Sequence, residues 1–355
     1  MLAAKVPDPV HRASDNETLM HYRNLGNSNL KVSALCLGTM MFGDQTDRAE
    51  SARIVADAHE RGVNFIDTAD VYTTGASEEI VGELIKPHRH DWVLATKLGN
   101  KMSERVNQTH YSRAWMVHEL EQSLRRLQTG HVDIYYLHRD YAGMNLEEPL
   151  RALDDMIRSG KIRYWGVSNF RGWRIAEVVA TARQLNMPGP VVCQPYYNLL
   201  NRMPEVEILP ACEHFGIGVA PYSPIARGVL TGKYQPGAKP DAQTRAGRGD
   251  QRILQTEFRE ESLAVAQRLQ AHAKDRGTTL AQFATAWVLA NRMISAVIAG
   301  PRTLAQWQDY FPALDFKVNA EDEALVDSLV RPGHPSTPGF TDPAYPLVGR
   351  VPLTA

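Results

Sequence analysis

Eight short apolar runs alternate with longer stretches of helical periodicity, and this alternation constrains the fold of the 355-residue chain more than any other feature. A repeated strand and helix is typical of a parallel sheet covered by helices. Eight such units in about 280 residues, without an obvious linker, predict a (β/α)8 barrel of the TIM type, in the α/β class. The predicted strands are 34–40, 63–69, 91–97, 132–138, 163–169, 191–197, 217–223 and 295–300.

The alternative for the same pattern is an open, doubly wound sheet. Such a sheet carries Gly-x-Gly-x-x-Gly after its first strand when it binds a dinucleotide, and no such motif follows the first predicted strand. We therefore predict one barrel over residues 21–330, an N-terminal extension of residues 1–20 and a C-terminal tail of residues 331–355.

Three segments outside the repeated units have their own predictions. Residues 21–33, HYRNLGNSNLKVS, place a Gly-Asn turn between two extended pieces and predict a β-hairpin at the bottom of the barrel. Residues 227–258 are rich in Gly, Pro, Arg and Gln and predict a long functional or mobile loop after the seventh strand. The proline-rich tail from Arg331 predicts irregular chain over the surface.

Helix ends can also be predicted at several places. Asp47 followed by Glu50 resembles a capping box, and Gly62 is placed to end the same helix. The second helix is expected to begin near Ser77. The third should be closed by Gly130 and pack a stripe at helical spacing against the barrel: Val117, Leu120, Leu124 and Leu127.

Composition limits the partners of the chain. It is 43% hydrophobic and 22% charged with a formal net charge of -1, which is ordinary for a globular protein. Without a concentrated positive charge we expect neither nucleic acid nor a membrane surface as a partner, and a small substrate fits better. The first residues lack the apolar core of a signal peptide and no run of about eighteen apolar residues occurs, so a cytoplasmic location is expected.

The three cysteines, Cys36, Cys193 and Cys212, are widely spaced and flanked by apolar residues. An odd number without metal-ligand spacing predicts buried structural thiols, with no disulfide framework and no metal site.

Four polar residues follow the ends of consecutive predicted strands. Asp67 and Tyr72 follow the second strand, Lys97 ends the third and His138 ends the fourth. Because the carboxyl ends of barrel strands surround one mouth, the four side chains are expected to meet there.

These residue types meet the requirements of carbonyl reduction, which needs a hydride, a proton and stabilisation of the developing oxyanion. Tyr72 is the expected proton donor. Lys97 would lower the pKa of the phenol, Asp67 would hold Lys97 charged and fixed, and His138 would orient the carbonyl oxygen. No side chain donates a hydride, so a nicotinamide cofactor is implied.

The segments FIDTADVY, ATK and YYLH, on consecutive predicted strands, resemble the aldo-keto reductase superfamily. So do WGVSNF (165–170), QPYYN (194–198), PYSPIARGVLTGKY (221–234) and IAGPRTLAQ (298–306). The resemblance covers nearly the whole chain, and the 221–234 segment is similar to the branch that contains bacterial reductases and potassium-channel β subunits. It implies reduction of an aldehyde or ketone by NADPH, with NADH less favoured and the reverse alcohol oxidation open.

The same resemblance implies a set of cofactor contacts. Ser168, Asn169 and Gln194 would hold the nicotinamide carboxamide, and Tyr222 would stack on the ring. Arg245 would cover the adenosine, Arg302 would bind the 2′-phosphate, and the pyrophosphate would lie under Ser223 to Gly228 and Lys233. The implied set is completed by Gly38, Thr39, Met40, Asp67, Pro224, Ile225, Ala226, Gly300, Gln306 and Asp309.

Tyr310 departs from the family pattern, which usually has an adenine-contacting Asn there. Stacking by the Tyr310 ring is the expected replacement. The substrate pocket is expected to be partly aromatic, as for a ring ketone, a sugar aldehyde or a xenobiotic carbonyl, with walls formed by Met41, Phe42, Tyr141, Trp173, Phe340 and Tyr345. An NADPH-binding regulatory subunit with little turnover is the alternative function, and the oligomeric state stays open.

Overall fold

A closed parallel barrel forms the centre of the protein in the computed structural model, which describes residues 20–346. The eight barrel strands are β3 (Leu35–Gly38), β4 (Phe65–Asp67), β5 (Val93–Leu98), β6 (Val132–Leu137), β7 (Ile162–Ser168), β8 (Val192–Gln194), β9 (Gly218–Val219) and β10 (Val297–Ala299), preceded by the hairpin strands β1 (Tyr22–Asn24) and β2 (Lys31–Ser33). Each predicted strand overlaps one observed barrel strand, and β5 and β7 each extend one residue beyond the predicted range. The predicted extension falls almost wholly on residues 1–19, which lie outside the described part.

Strand pairing confirms the predicted (β/α)8 barrel rather than the open sheet. The strands follow one another in parallel from β3 to β9, and β10 pairs with β3. Parallel bridges from Val219 to Ile294 and from Tyr222 to Ile298 join the last two strands and close the ring. The Ser295 N–H donates to the Val219 carbonyl oxygen across this seam at 2.8 Å.

Helices surround the barrel and bury their apolar faces against it. They are α1 (Arg48–Glu60), α2 (Ala76–Ile85), α3 (Arg113–Arg126), α4 (Glu147–Arg158), α5 (Gly172–Gln184), α6 (Ile208–Phe215), α7 (Gln251–Gln255), α8 (Glu260–Asp275), α9 (Leu280–Ala290), α10 (Leu304–Gln308) and α11 (Ala320–Leu329). No helix among residues 20–346 has the length and apolar character that a membrane crossing requires.

The predicted start of α1 is half right. Asp47 caps the helix, because its carboxylate accepts the Glu50 N–H at 2.8 Å. The Glu50 carboxylate does not return to the cap, as a capping box requires; it accepts the Leu304 N–H at 2.6 Å and so ties α1 to α10. Gly62 follows the helix end with φ +77°, a left-handed conformation that glycine adopts without strain.

The third helix differs from its prediction at the first residue of the stripe and at the end of the helix. Leu120, Leu124 and Leu127 are buried as expected, but Val117 is exposed. The helix ends at Arg126, where Gln128 takes the left-handed conformation, so Gly130 is not its cap. The 3.6-residue period leaves Val117 at the edge of the apolar face, where Trp115 and Met116 cover the barrel instead.

The hairpin lies at the bottom of the barrel, as predicted. Its residues Leu25 and Val32 pack with the inward-facing barrel side chains, and the Asn27 N–H donates to the Gly216 carbonyl oxygen just before β9. Cys36, Cys193 and Cys212 are free and buried, as predicted for structural thiols.

Two segments cover the carboxyl ends of the strands. The loop after β9 begins with a 3₁₀ segment, Ala226–Thr231, and carries α7. The described part of the tail, residues 331–346, contains no helix and runs irregularly over the same end, as predicted. Arg252 of α7 joins the two segments through both oxygens of Asp342, at 2.9 and 2.7 Å.

Candidate catalytic and cofactor-binding pocket

A pocket of about 420 Å³ opens at the carboxyl ends of the strands, where barrel enzymes place their chemistry. Most of the predicted site residues lie in its wall: Gly38, Thr39, Met40, Met41, Asp67, Tyr72, His138, Ser168, Asn169, Gln194, Tyr222, Ser223, Pro224, Ile225, Gly228, Lys233, Arg245, Gly300, Arg302, Gln306, Asp309, Tyr310 and Tyr345.

Lys97 lies fully buried directly behind the pocket wall and connects the catalytic candidates. Its ammonium donates to Oδ1 of Asp67 at 2.5 Å, to the Thr68 carbonyl oxygen at 2.7 Å and to the Tyr72 hydroxyl at 3.2 Å. All three ammonium protons are therefore used, which is what burial of a charged amine demands. Oδ2 of Asp67 accepts from the Gln194 amide at 2.9 Å, so the carboxylate is fixed from both sides.

The electrostatics of Tyr72 correct one expectation. Lys97 does favour the phenolate, but burial outweighs it and raises the pKa of the Tyr72 hydroxyl above its ordinary value. The sequence predicted the opposite net direction, because the depth of burial could not be read from it. Burial opposes the charge of Lys97, but Asp67 and Tyr72 together hold the pKa of Lys97 above its ordinary value. The resting site thus holds a neutral phenol beside a charged amine.

His138 lies at the pocket wall beside Tyr72, with the two rings 6.0 Å apart in an edge-on arrangement. Burial, Lys97 and Arg139 hold the pKa of His138 well below its ordinary value, so the imidazole is neutral near pH 7. Nδ1 of His138 is 3.0 Å from the amide nitrogen of Asn100, a residue that the sequence did not single out. A neutral imidazole that accepts at Nδ1 carries its proton on Nε2.

A second group of polar side chains lies across the pocket, after the ends of β7 and β9. The Asn169 amide donates to the His138 carbonyl oxygen at 2.9 Å, and its oxygen accepts from the Tyr222 hydroxyl at 2.8 Å. Asn169 and Ser223 have φ of +60° and +58°. Non-glycine residues seldom adopt this conformation, and such strain is concentrated at functional sites.

Cations collect at the far end of the pocket, around Lys233, Arg248 and Arg302. None of these three has a carboxylate partner among the described residues, whereas Arg245 pairs with Asp250 at 2.9 Å. Burial lowers the pKa of Lys233 most, and repulsion by the neighbouring guanidinium groups lowers it further. Such a cluster favours a bound anion.

Gly228 allows Lys233 to enter this cluster. Its φ of +97° is strained for other residues, and a Cβ atom there would lie 2.8 Å from Nζ of Lys233. The pocket also contains Tyr310, whose buried ring lies beside Asp309 and Gln306 in the wall.

Several predicted residues are not in this pocket. Phe42 is 0% exposed and belongs to the core between α2 and the barrel, and Ala226 is also fully buried. Trp173 is 58% exposed on α5. Tyr141 packs on His110 and hydrogen-bonds to Gly99, and Phe340 lies under Arg259 and lines a separate cavity below the tail. The orientation of side chains in loops and at helix starts depends on tertiary contacts. Their position in the sequence, close to strand ends, was therefore not enough to predict whether they line the pocket.

Other wall residues had not been predicted. Arg248 and Arg252 come from an arginine-rich stretch of the long loop, and that composition was their available signal. Gln45 accepts from Arg248 at 2.6 Å and from Arg302 at 3.5 Å and so links the two. Arg227 lies within the segment predicted to cover the pyrophosphate, and the remaining unpredicted members carry no distinctive pattern: Val71, Asn100, Thr231, Ala281 and Ile298.

Comparison with known proteins agrees with this geometry and confirms the resemblance seen in the motifs. The model of the aldo/keto reductase family matches residues 34–331. A protein named "probable voltage-gated potassium channel subunit beta" from Arabidopsis thaliana is 38% identical over 303 residues, or 83% of this chain and 92% of that protein. A protein of the same name from Oryza sativa subsp. japonica is 37% identical with the same coverage. "Uncharacterized oxidoreductase YrpG" from Bacillus subtilis (strain 168) is 34% identical over 337 residues, or 92% of this chain and 99% of that protein.

Proposed function

The chain belongs to the aldo/keto reductase family, and from that premise we propose that it reduces an aldehyde or ketone to an alcohol with NADPH. The observation that carries the proposal is the buried ammonium of Lys97, hydrogen-bonded at once to Asp67 and to Tyr72 at the pocket wall. This arrangement suits a phenol that must give up a proton and take it back.

Tyr72 is the proposed general acid. As the carbonyl carbon gains a hydride, its oxygen gains negative charge and takes the proton from the Tyr72 hydroxyl. The resulting phenolate lies 3.2 Å from the Lys97 ammonium, which stabilises it until solvent returns the proton. Asp67 keeps the ammonium oriented and compensates its charge in the buried site.

His138 is proposed to hold the carbonyl oxygen. With Nδ1 accepting from Asn100, the proton on Nε2 is available to the substrate oxygen, beside the phenol of Tyr72. A donor placed where charge develops stabilises the transition state more than the ground state.

The residues present fit a nicotinamide dinucleotide. The amide and hydroxyl groups of Ser168, Asn169 and Gln194 match the donors and acceptors of a carboxamide, and Tyr222 offers a flat face beside them. When bound, the nicotinamide would supply the hydride that no side chain can provide. Lys233 and the neighbouring guanidinium groups would take the phosphates.

NADPH is proposed over NADH because of the cation cluster. Arg248 and Arg302 both reach Gln45, and neither has a carboxylate partner among the described residues. A 2′-phosphate brings up to two negative charges and three acceptor oxygens, which a pair of guanidinium groups can bind and a ribose hydroxyl cannot match. Ring stacking by Tyr310 is the proposed substitute for the family's usual adenine contact.

A panel of ring ketones, sugar aldehydes and xenobiotic carbonyls, assayed with NADPH and NADH in parallel, tests the proposal. We expect carbonyl-dependent NADPH oxidation that falls by at least about 100-fold in Tyr72→Phe. Tyr135→Phe is the control, because that phenol is fully buried outside the pocket and has no hydrogen-bond partner among the described residues. Full turnover in Tyr72→Phe would remove the assigned proton donor.

A second candidate function is suggested by the names of two relatives, which are channel β subunits. On this reading the chain binds NADPH and regulates a partner protein. The same panel separates the two functions, since a regulatory subunit would bind NADPH, show negligible turnover with every carbonyl and purify with another protein.

A further inference from the structure

Two histidines and an aspartate meet at the end of the barrel opposite the catalytic pocket. His59 lies in the last turn of α1, and His88 and Asp91 belong to the 3₁₀ segment Lys86–Asp91 that follows α2. Each helix of a (β/α)8 barrel returns the chain to the amino ends of the strands, so both places lie at the bottom. The group is separate from the proposed active site.

The three side chains are close enough to share an ion. One ligand atom from each lies within 4.8 Å of the other two. Nε2 of His59 is 2.8 Å from Oδ2 of Asp91, and Nδ1 of His88 is 3.8 Å from the same oxygen. Zn²⁺ with bonds of about 2.0–2.2 Å keeps its ligand atoms about 3–4 Å apart, which matches this spacing. The imidazole rings of His59 and His88 are stacked with their centroids 4.4 Å apart, so the rings must turn out of this stack for both nitrogens to face one ion.

The charges around this group favour a cation. In the described part of the chain, Asp91 has no lysine or arginine partner, and both of its ion-pair contacts are imidazoles. Arg89, in the same segment, is turned away and pairs with Asp133 at 2.8 Å. His59 also lies at the carboxyl end of α1, where the helix dipole is negative.

We propose that His59, His88 and Asp91 bind a divalent transition metal ion. Two imidazoles and one carboxylate are ligands that Zn²⁺, Co²⁺ and Ni²⁺ accept, and water completes the coordination because His88 and Asp91 are exposed. The ion ties the end of α1 to the segment after α2. Its role is therefore structural, and it stabilises the bottom of the barrel without contacting the catalytic residues.

A simple hydrogen bond between His59 and Asp91 is the alternative, and metal titration separates the two readings. The full chain without an affinity tag is first treated with EDTA. Zn²⁺ binding is then measured by calorimetry, and Tm is measured with Zn²⁺ and with EDTA. We expect one strong site per chain and a Tm that rises by a few degrees in Zn²⁺.

Variants identify the ligands. His59→Ala and His88→Ala should weaken Zn²⁺ binding by at least about tenfold and abolish the rise in Tm, and Asp91→Asn should weaken it as well. His118→Ala, at an exposed histidine of α3, is the matched control and should bind like the parent protein. Tm in EDTA shows whether each variant is folded, and His88 is exposed enough for substitution to be tolerated.

Two outcomes would overturn the proposal. One is the absence of stoichiometric Zn²⁺ binding by the parent protein. The other is binding that is unchanged in both histidine variants, which would assign the ion to another place on the chain.

Discussion

Asn100 and His138 share a hydrogen bond at the catalytic pocket, with 3.0 Å between the amide nitrogen of Asn100 and Nδ1 of the imidazole. Because burial, Lys97 and Arg139 keep the pKa of His138 low, the ring is neutral and its tautomer depends on this partner. The amide assigns the proton to Nε2, the nitrogen left for a substrate. Under the proposed function, Asn100 would be a positioning residue that acts through His138.

Removal of this amide should reduce turnover through His138 alone. We expect Asn100→Ala to lower kcat about tenfold with little change in the KM for NADPH, as the loss of an orienting partner typically does. In a double-mutant cycle, Asn100→Ala added to His138→Ala should cost nothing further. Additive losses in the double variant would show that Asn100 acts on its own.

The pH dependence of the two reaction directions should be opposite. Reduction needs protonated Tyr72, whose pKa is raised by burial above its ordinary value of about 10, so kcat/KM should stay level through neutral pH and fall only at strongly alkaline pH. Alcohol oxidation needs the phenolate, so its rate should still be rising at about pH 10.

His138 should add no step near its ordinary pKa of about 6.5, because its own pKa is well below that value. Steady-state rates from weakly acidic to alkaline buffers, taken where Tm is unchanged, test both statements. A decline of reduction centred near neutral pH would contradict them.

Arg248 and Arg302 have no carboxylate partner among the described residues, and loss of either guanidinium group should selectively weaken the binding of NADPH. We expect Arg302→Ala or Arg248→Ala to raise the KM for NADPH about tenfold or more, since a charge-assisted hydrogen bond contributes about 1.5–3 kcal/mol, and to leave the KM for NADH within about twofold. Arg292→Ala, whose exposed side chain pairs with Glu213 elsewhere, is the matched control. An equal rise in KM for both cofactors would mean that these arginines do not bind the 2′-phosphate.

The positions of Asp67, Lys97 and His138 could be predicted because they depend on the strands alone. Parallel strands that alternate with helices must end at one face, and an inward-facing residue near the end of a strand lies at the mouth whatever the loops do. The helix ends at Asp47 and Gly62 could also be predicted, because a helix cap depends only on residues that are close in the sequence.

The loops could not be predicted in this way. Phe42 and Trp173 come four and five residues after their strands, and one is packed into the core whereas the other is exposed to solvent. Arg248 reaches the pocket because Gln45, about 200 residues earlier, accepts its hydrogen bond. The net direction of the Tyr72 pKa depends on burial on all sides, which no local pattern contains.

A buried charge cluster between α2 and α3 should dominate the stability of this face of the protein. Arg126 donates to Glu78 at 2.7 Å and to Glu119 at 2.5 Å, and both carboxylates are almost fully buried. Arg126→Met would leave them without a cation, so we expect a loss of about 3–5 kcal/mol in the free energy of unfolding.

Chemical denaturation measures this loss, with Arg125→Met as the control. Arg125 is exposed and has no ion pair among the described residues, so its removal should change the free energy of unfolding by less than about 0.5 kcal/mol. A similarly small change in the free energy of unfolding of both variants would show that Glu78 and Glu119 become protonated in Arg126→Met without destabilising the protein.

The ion pair of Arg252 and Asp342 should control how firmly the tail covers the pocket. Although burial opposes it, contact with Arg252 and the Ala344 N–H holds the pKa of Asp342 below its ordinary value, so the pair stays charged at neutral pH. Arg252 and Tyr345 both line the pocket, and Asp342 fixes the chain just before Tyr345.

We expect Asp342→Asn to raise the KM for the carbonyl substrate about three- to tenfold and to speed proteolysis of the tail, because a bidentate charge-assisted contact is lost. Asp154→Asn breaks an exposed helical pair with Arg158 and should change neither value. An unchanged KM together with faster proteolysis would mean that the tail opens without exposing the substrate, and the pocket wall would then have to be formed by the barrel loops alone.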